Sequence, residues 1–246
     1  TGSCAVHCRY CFRRHFPYAE ELAAREQWRE AVGEIAADRS IHEVILSGGD
    51  PLSLSTAKLA ELTDALASVA HLRRLRIHTR WPIVLPQRVD GELLDWLRGL
   101  PWPVVLVIHA NHAREIDAEV GAALQRLRAT GATLLNQSVL LRGVNDDAAV
   151  LGELMRAFLA NRVKPYYLHH PDMAPGTAHF RLSIAEGQAL MRALRGRLSG
   201  LAQPTYVLDI PGGEGKVPVG PDYLDADAVT DWRGARHPYP PRPAKD

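Results

Sequence analysis

Six short apolar or β-branched runs recur along this chain, each separated from the next by a stretch of helical periodicity. That alternation restricts the fold more than any other feature. The runs are EVILSGG (43–49), RRLRIHTR (73–80), PVVLVIHA (103–110), ATLLNQSVLL (132–141), VKPYYLHH (163–170) and PTYVLDI (204–210). The helical stretches lie near 20–38, 55–69, 90–99, 114–129, 147–161 and 184–198; in the fifth, Leu151, Leu154, Met155 and Leu159 recur at helical spacing. Strand–helix units of this length imply an α/β fold with a parallel sheet and helices outside it. Polar and glycine-rich residues close the strands in turn: SGGD, HTR, HANH, NQS, HHPD and DIPGG. A doubly wound open sheet would gather such residues at one crevice. Six contributing strands favour a barrel, or part of one, whose strand ends converge on one mouth.

The 246 residues are enough for one large α/β domain or two small ones, and no internal repeat beyond the strand–helix unit is present. A net charge of +1 gives no bulk attraction to nucleic acid or a membrane surface. No apolar run approaches the roughly 20 residues that span a bilayer, and no signal-peptide pattern is visible. The chain opens TGSC without an initiator Met, so its true N-terminus is expected to lie upstream. The tail RHPYPPRPAKD reads as extended, or as a tether. The three cysteines, Cys4, Cys8 and Cys11, all fall within the first eleven residues. An odd number packed this tightly builds no disulfide framework, and a cytoplasmic protein is expected.

Those cysteines stand in CAVHCRYCFRR with CxxxCxxC spacing. Three soft thiolates on one loop suit three irons of a [4Fe-4S] cluster, leaving the fourth iron open to a small molecule. The alternatives are a Cys3His zinc site completed by His7 or His15, or unrelated free thiols. With Tyr10 before the third cysteine, the loop resembles that of the radical S-adenosylmethionine (SAM) superfamily, in which the open iron chelates SAM and reduction releases a 5′-deoxyadenosyl radical. SGGD (Ser47, Gly48, Gly49, Asp50), one unit later, resembles that superfamily's turn for the SAM amino group; alone it would read as an ordinary turn.

The segments CAVHCRYCFRRHFPY, LSGGDPL, LRIHTRWPIVLPQRV, LLNQSVLLRGVND, PYYLHHPDMAPGTAHFR and DIPGGEGKVPVGPDY narrow the resemblance to the lysine 2,3-aminomutase family across almost the whole chain. The resemblance implies a partial (βα)6 TIM-like barrel over 1–200, its first strand cut away before the cysteine loop. A C-terminal extension over 201–246 would carry a lysine for pyridoxal 5'-phosphate (PLP). That lysine is Lys216 in GGEGK; read alone it is a surface lysine on a turn. A phosphate loop is excluded, because glycine would be needed at 210 and Ser or Thr at 217, where Ile210 and Val217 stand.

The resemblance further assigns Arg13, rather than its neighbour Arg14, to the substrate carboxylate, a partner that suits a planar guanidinium. It assigns Asp172 and Asp209 to the distal ammonium of L-lysine. His109 and Gln137 match positions near SAM, Tyr10 a backbone contact to the adenine, and His169 a position near PLP. The reaction implied moves the α-amino group of L-lysine to C3, giving β-lysine, with SAM regenerated and an external electron donor for the cluster. A homo-oligomer is also implied. Other readings are the same reaction serving β-lysylation of elongation factor P, an aminomutase for another amino acid, a PLP-independent radical SAM enzyme, and a zinc-binding or scaffold protein.

Overall fold

A computed structural model of the chain describes residues 3–11, 13, 25–213 and 215–240. Six parallel strands, β1 (Glu43–Leu46), β2 (Arg74–Thr79), β3 (Val104–His109), β4 (Thr133–Val139), β5 (Lys164–His169) and β6 (Thr205–Asp209), pair in chain order. A seventh, β7 (Lys216–Pro218), returns antiparallel to β6. The result is a curled half-barrel of parallel strands, as the strand–helix alternation requires. Among the described residues nothing pairs with the outer edge of β1.

The helices are α1 (Arg25–Ala37), α2 (Thr56–Ala67), the single turn α3 (Trp81–Val84), α4 (Gly91–Gly99), α5 (Ala118–Arg128), α6 (Ala148–Ala160) and α7 (Ile184–Arg195). Their starts are written in the sequence. The side chains of Ser55, Asp90, Asp117, Asp147 and Ser183 each accept a backbone N–H from the first turn that follows. The cap at Asp117 explains why α5 begins later than its periodicity from 114 predicts; Ala113–Glu115 is a separate 3-10 turn. Each helix then turns one apolar stripe inward, such as Leu151, Leu154, Met155 and Phe158 of α6.

Those stripes cover the outer face of the sheet, where Leu75, Ile77, Leu106, Ile108, Leu134, Leu168 and Tyr206 form one continuous core with them. Alternation along β2 sends Leu75 and Ile77 to this core, and Arg76 and His78 to the concave face. Because the six strands are parallel, all their C-terminal ends reach the same rim.

Beyond β7 the chain forms a small antiparallel sheet of β8 (Leu224–Asp225), β9 (Ala228–Thr230) and β10 (Arg236–Pro238). Arg236 joins its strands by ion pairs to Asp225 and Asp227, both at 2.8 Å. The tail that reads as a tether is therefore paired over its first three residues, and 241–246 lie outside the described part. No helix among the described residues is long and apolar enough to cross a membrane.

Candidate active site

The rim of the half-barrel encloses a cavity of about 460 Å³. Cys4, Cys8, Cys11, Tyr10, Arg13, Ser47, Gly48, Gly49, Asp50, His109, Gln137, His169, Asp172, Asp209 and Lys216 all line it. Residues separated by two hundred positions thus face one space. Of the alternatives, His7 is exposed and outside the cavity lining, while Arg14 and His15 lie outside the described residues.

One wall is the cysteine loop. It is tied to the end of β1 by backbone, Asp50 N–H donating to Ser3 O at 2.7 Å. The turn there needs glycine, since Gly48 has φ +113°. Asp50 is buried and fully engaged: it accepts from Thr79 Oγ1 (2.7 Å), Arg80 N (2.6 Å) and Leu52 N (3.1 Å). Burial pushes its carboxyl up while these donors pull it down. Its carboxylate locks the Ser47–Gly49 turn to the end of β2.

The Cys4 thiol is pushed up by burial, then by the charges of Asp50, Cys11 and Cys8. Three sulfurs crowded on one loop call for a cationic centre to take the charge of their thiolates. Among the described residues no three His, Cys, Asp or Glu side chains converge closely enough for one metal ion. A cubane cluster instead takes one thiolate at each of three irons, and the donor set fits that group.

The opposite wall is the β6–β7 hairpin. Its register sets Asp209 directly across from Lys216, and the two side chains form an ion pair at 3.1 Å. His169, at the end of β5, places Nδ1 3.7 Å from Asp209 and Nε2 3.2 Å from Gln137 Oε1. Gln137 follows a bulge in β4 between Asn136 and Gln137, the kind of irregularity that re-aims a side chain. Asp172 is pushed up by burial and by Asp209, and lowered by Lys216. Two carboxylates that feel each other's charge in one cavity favour an ammonium between them.

The floor carries three imidazoles. Burial lowers His78 to about 4, His109 to about 3 and His169 to about 4, with neighbouring positive charge adding to each. All three are neutral near pH 7. His78 Nε2 is buried without a hydrogen-bond partner among the described residues, an orphan at the cavity wall that points to a ligand.

Sequence reasoning singled out neither His78 nor Arg80, although HTR stood among the polar strand ends. Arg80 donates to Cys8 Sγ at 3.3 Å, to the Tyr10 hydroxyl, and to Glu115 Oε2. Asn111 Nδ2 reaches the same hydroxyl at 2.7 Å, and its Oδ1 accepts from Val139 N at 2.8 Å. A buried polar web therefore joins the cysteine loop to the ends of β2, β3 and β4.

Residues 1–151 match the family model described as the radical SAM superfamily. The chain belongs to the radical SAM superfamily. Residues 191–231 of this radical SAM protein, which include Asp209 and Lys216, match the model described as lysine-2,3-aminomutase. It is 46% identical over 215 residues to an L-lysine 2,3-aminomutase from Haemophilus influenzae, covering 87% of this chain and 64% of the relative. To the L-lysine 2,3-aminomutase of Escherichia coli K12 it is 44% identical over 218 residues, 89% of this chain and 64% of the relative. It thus spans 64% of the length of these two relatives. Streptococcus suis SuiB, in a structure bound to S-adenosylmethionine, shares the fold. Its TM-score is 0.61 at 12% identity, over 85% of this chain and 48% of that one.

Proposed function

We propose that this radical SAM protein catalyses the lysine 2,3-aminomutase reaction, moving the α-amino group of L-lysine to C3 to give β-lysine. The observation that carries the reading is one cavity with the three thiols on one wall and Lys216, Asp209 and Asp172 on the other. The matched relatives bear the name of this reaction, and the elongation factor P branch is not favoured.

In this reading Cys4, Cys8 and Cys11 hold a [4Fe-4S] cluster. The Ser47–Gly49 turn, His109, Gln137 and the backbone of Tyr10 hold SAM. Lys216, beside His169, holds PLP. When bound, these groups would supply a carbon-centred radical that takes a hydrogen atom from the substrate and a conjugated π-system over which spin on the substrate would spread. The chain's own work is placement. Arg13 meets the substrate carboxylate with a two-pronged donor. Asp172 and Asp209 receive the distal ammonium; the 3.1 Å ion pair of Lys216 with Asp209 supports this role, since it sets a primary ammonium on the same carboxylate. The neutral imidazoles of the floor add no competing cation, and Val6, Ile45, Val84 and Val139 make part of the lining apolar, which excludes water from a reactive site. An external one-electron donor reduces the cluster.

Borohydride reduction of the PLP-loaded protein, followed by peptide mapping, tests the placement. The reading predicts a pyridoxyl group on the Lys216 peptide, absent in Lys216→Ala. Label on another lysine, or none, contradicts it.

A further inference from the structure

Arg80 has no part in the reading above, yet it is among the most heavily engaged side chains of the cavity wall. Its backbone N–H is fixed by Asp50 at 2.6 Å, and its guanidinium meets Cys8 Sγ, the Tyr10 hydroxyl and Glu115. The guanidinium carbon also lies 6.0 Å from the centre of the Tyr10 ring. The Tyr10 hydroxyl accepts from Arg80 and from Asn111 Nδ2, so it holds the guanidinium in place beside Cys8. Cys8 Sγ thus receives a cationic donor at 3.3 Å. Glu115 orients the guanidinium fork and is itself held by the backbone N–H groups of Asn111 (2.7 Å) and His112 (3.0 Å).

We propose that the Arg80 guanidinium on the Cys8 sulfur, with the Tyr10 hydroxyl that positions it, forms a pair that makes one-electron reduction of the ligated cluster easier. The proposal rests on Cys4, Cys8 and Cys11 holding that cluster. In the step concerned, one electron passes from a low-potential reductant to the cluster, whose negative charge rises by one unit; no bond is made or broken. Added electron density on iron and sulfur is stabilised by donors to a ligand sulfur and by a nearby positive charge, both established controls of cluster potential. The Glu115 carboxylate offsets part of the Arg80 charge, but it lies on the far branch of the fork from the sulfur: Nη2 faces Glu115 and Nη1 faces Cys8.

The test is an EPR-monitored redox titration of the full-length protein, purified and reconstituted with iron and sulfide under anaerobic conditions, without lysine. Arg80→Gln should make reduction at least tenfold less favourable, about 59 mV lower for a one-electron couple. Tyr10→Phe should shift it roughly threefold in the same direction, and Arg80→Lys should fall between wild type and Arg80→Gln, because it restores charge without the fork. If Arg80→Gln retains four irons and titrates with the wild-type potential, or above it, the proposal is overturned. If Arg80→Gln fails to retain iron, Tyr10→Phe decides: a lowered potential supports the pair and an unchanged one overturns it. Failure of wild type itself to take up a four-iron cluster would instead remove the cluster assignment on which the proposal stands.

Discussion

His78 and His109 lie with ring centres 6.1 Å apart, and His169 completes the floor of the same cavity. Each would titrate near 6.5 in an unfolded chain but is held at about 4, 3 and 4 in the fold, chiefly by burial. The unfolded chain therefore binds more protons between about pH 4 and 6.5, and stability must rise with pH across that window. Their contribution is complete above about 6.5 and lost as pH falls toward the folded values. The urea midpoint should drop between pH 7 and pH 5, and drop less in His109→Gln, which cannot titrate; parallel losses in both proteins would contradict the burial argument. At the acidic pair, Asp172→Asn is the cleaner probe, because Asp209 also holds Lys216. It should lower kcat/KM for lysine roughly a hundredfold, the scale for truncating one partner of a buried charge pair, with iron content and PLP absorbance unchanged; unaltered turnover would refute the pair. The cysteine loop stood out in the sequence because cluster ligation needs one residue type at short, fixed spacings, whereas Lys216 read alone as a surface lysine on a turn and was singled out only by the family resemblance. Arg80 did not stand out, because what it does depends on Tyr10 and Cys8 arriving from some seventy residues away.

At the scale of elements, the six strands and their helices follow the sequence pattern closely because each carries its own periodicity and a capping residue. The β6–β7 hairpin was invisible for the opposite reason. β7 is three residues long, exposed throughout, and exists through its pairing with β6. Yet it is what brings Lys216 to Asp209. The strand beneath it is held by Tyr206, whose hydroxyl meets His170 Nδ1 at 2.7 Å and whose ring lies against α7 at Gly187. A Cβ at Gly187 would sit 2.0 Å from that hydroxyl and 2.4 Å from its ring carbon. Gly187→Ala must displace a buried tyrosine and should cost about 1–3 kcal/mol, the usual scale for overpacking. A urea midpoint equal to wild type would show that Tyr206 can move aside without penalty.

For the whole molecule, the half-barrel provides one open rim, and the cysteine loop and the β6–β7 hairpin close on it from front and back. Parallel strands put every C-terminal end on that rim, so the polar strand ends of the sequence were bound to meet. The small sheet β8–β10 was not foreseen, since two- and three-residue strands carry no periodic signal. The central claim is that this single cavity moves an amino group within lysine. Its most direct test is anaerobic incubation of the full-length protein with L-lysine, SAM, PLP and a reductant, followed by identification of the product amino acid and measurement of residual SAM. The account predicts β-lysine accumulating over many turnovers while SAM is retained. Lysine left unchanged, or SAM consumed one for one without β-lysine, would contradict it.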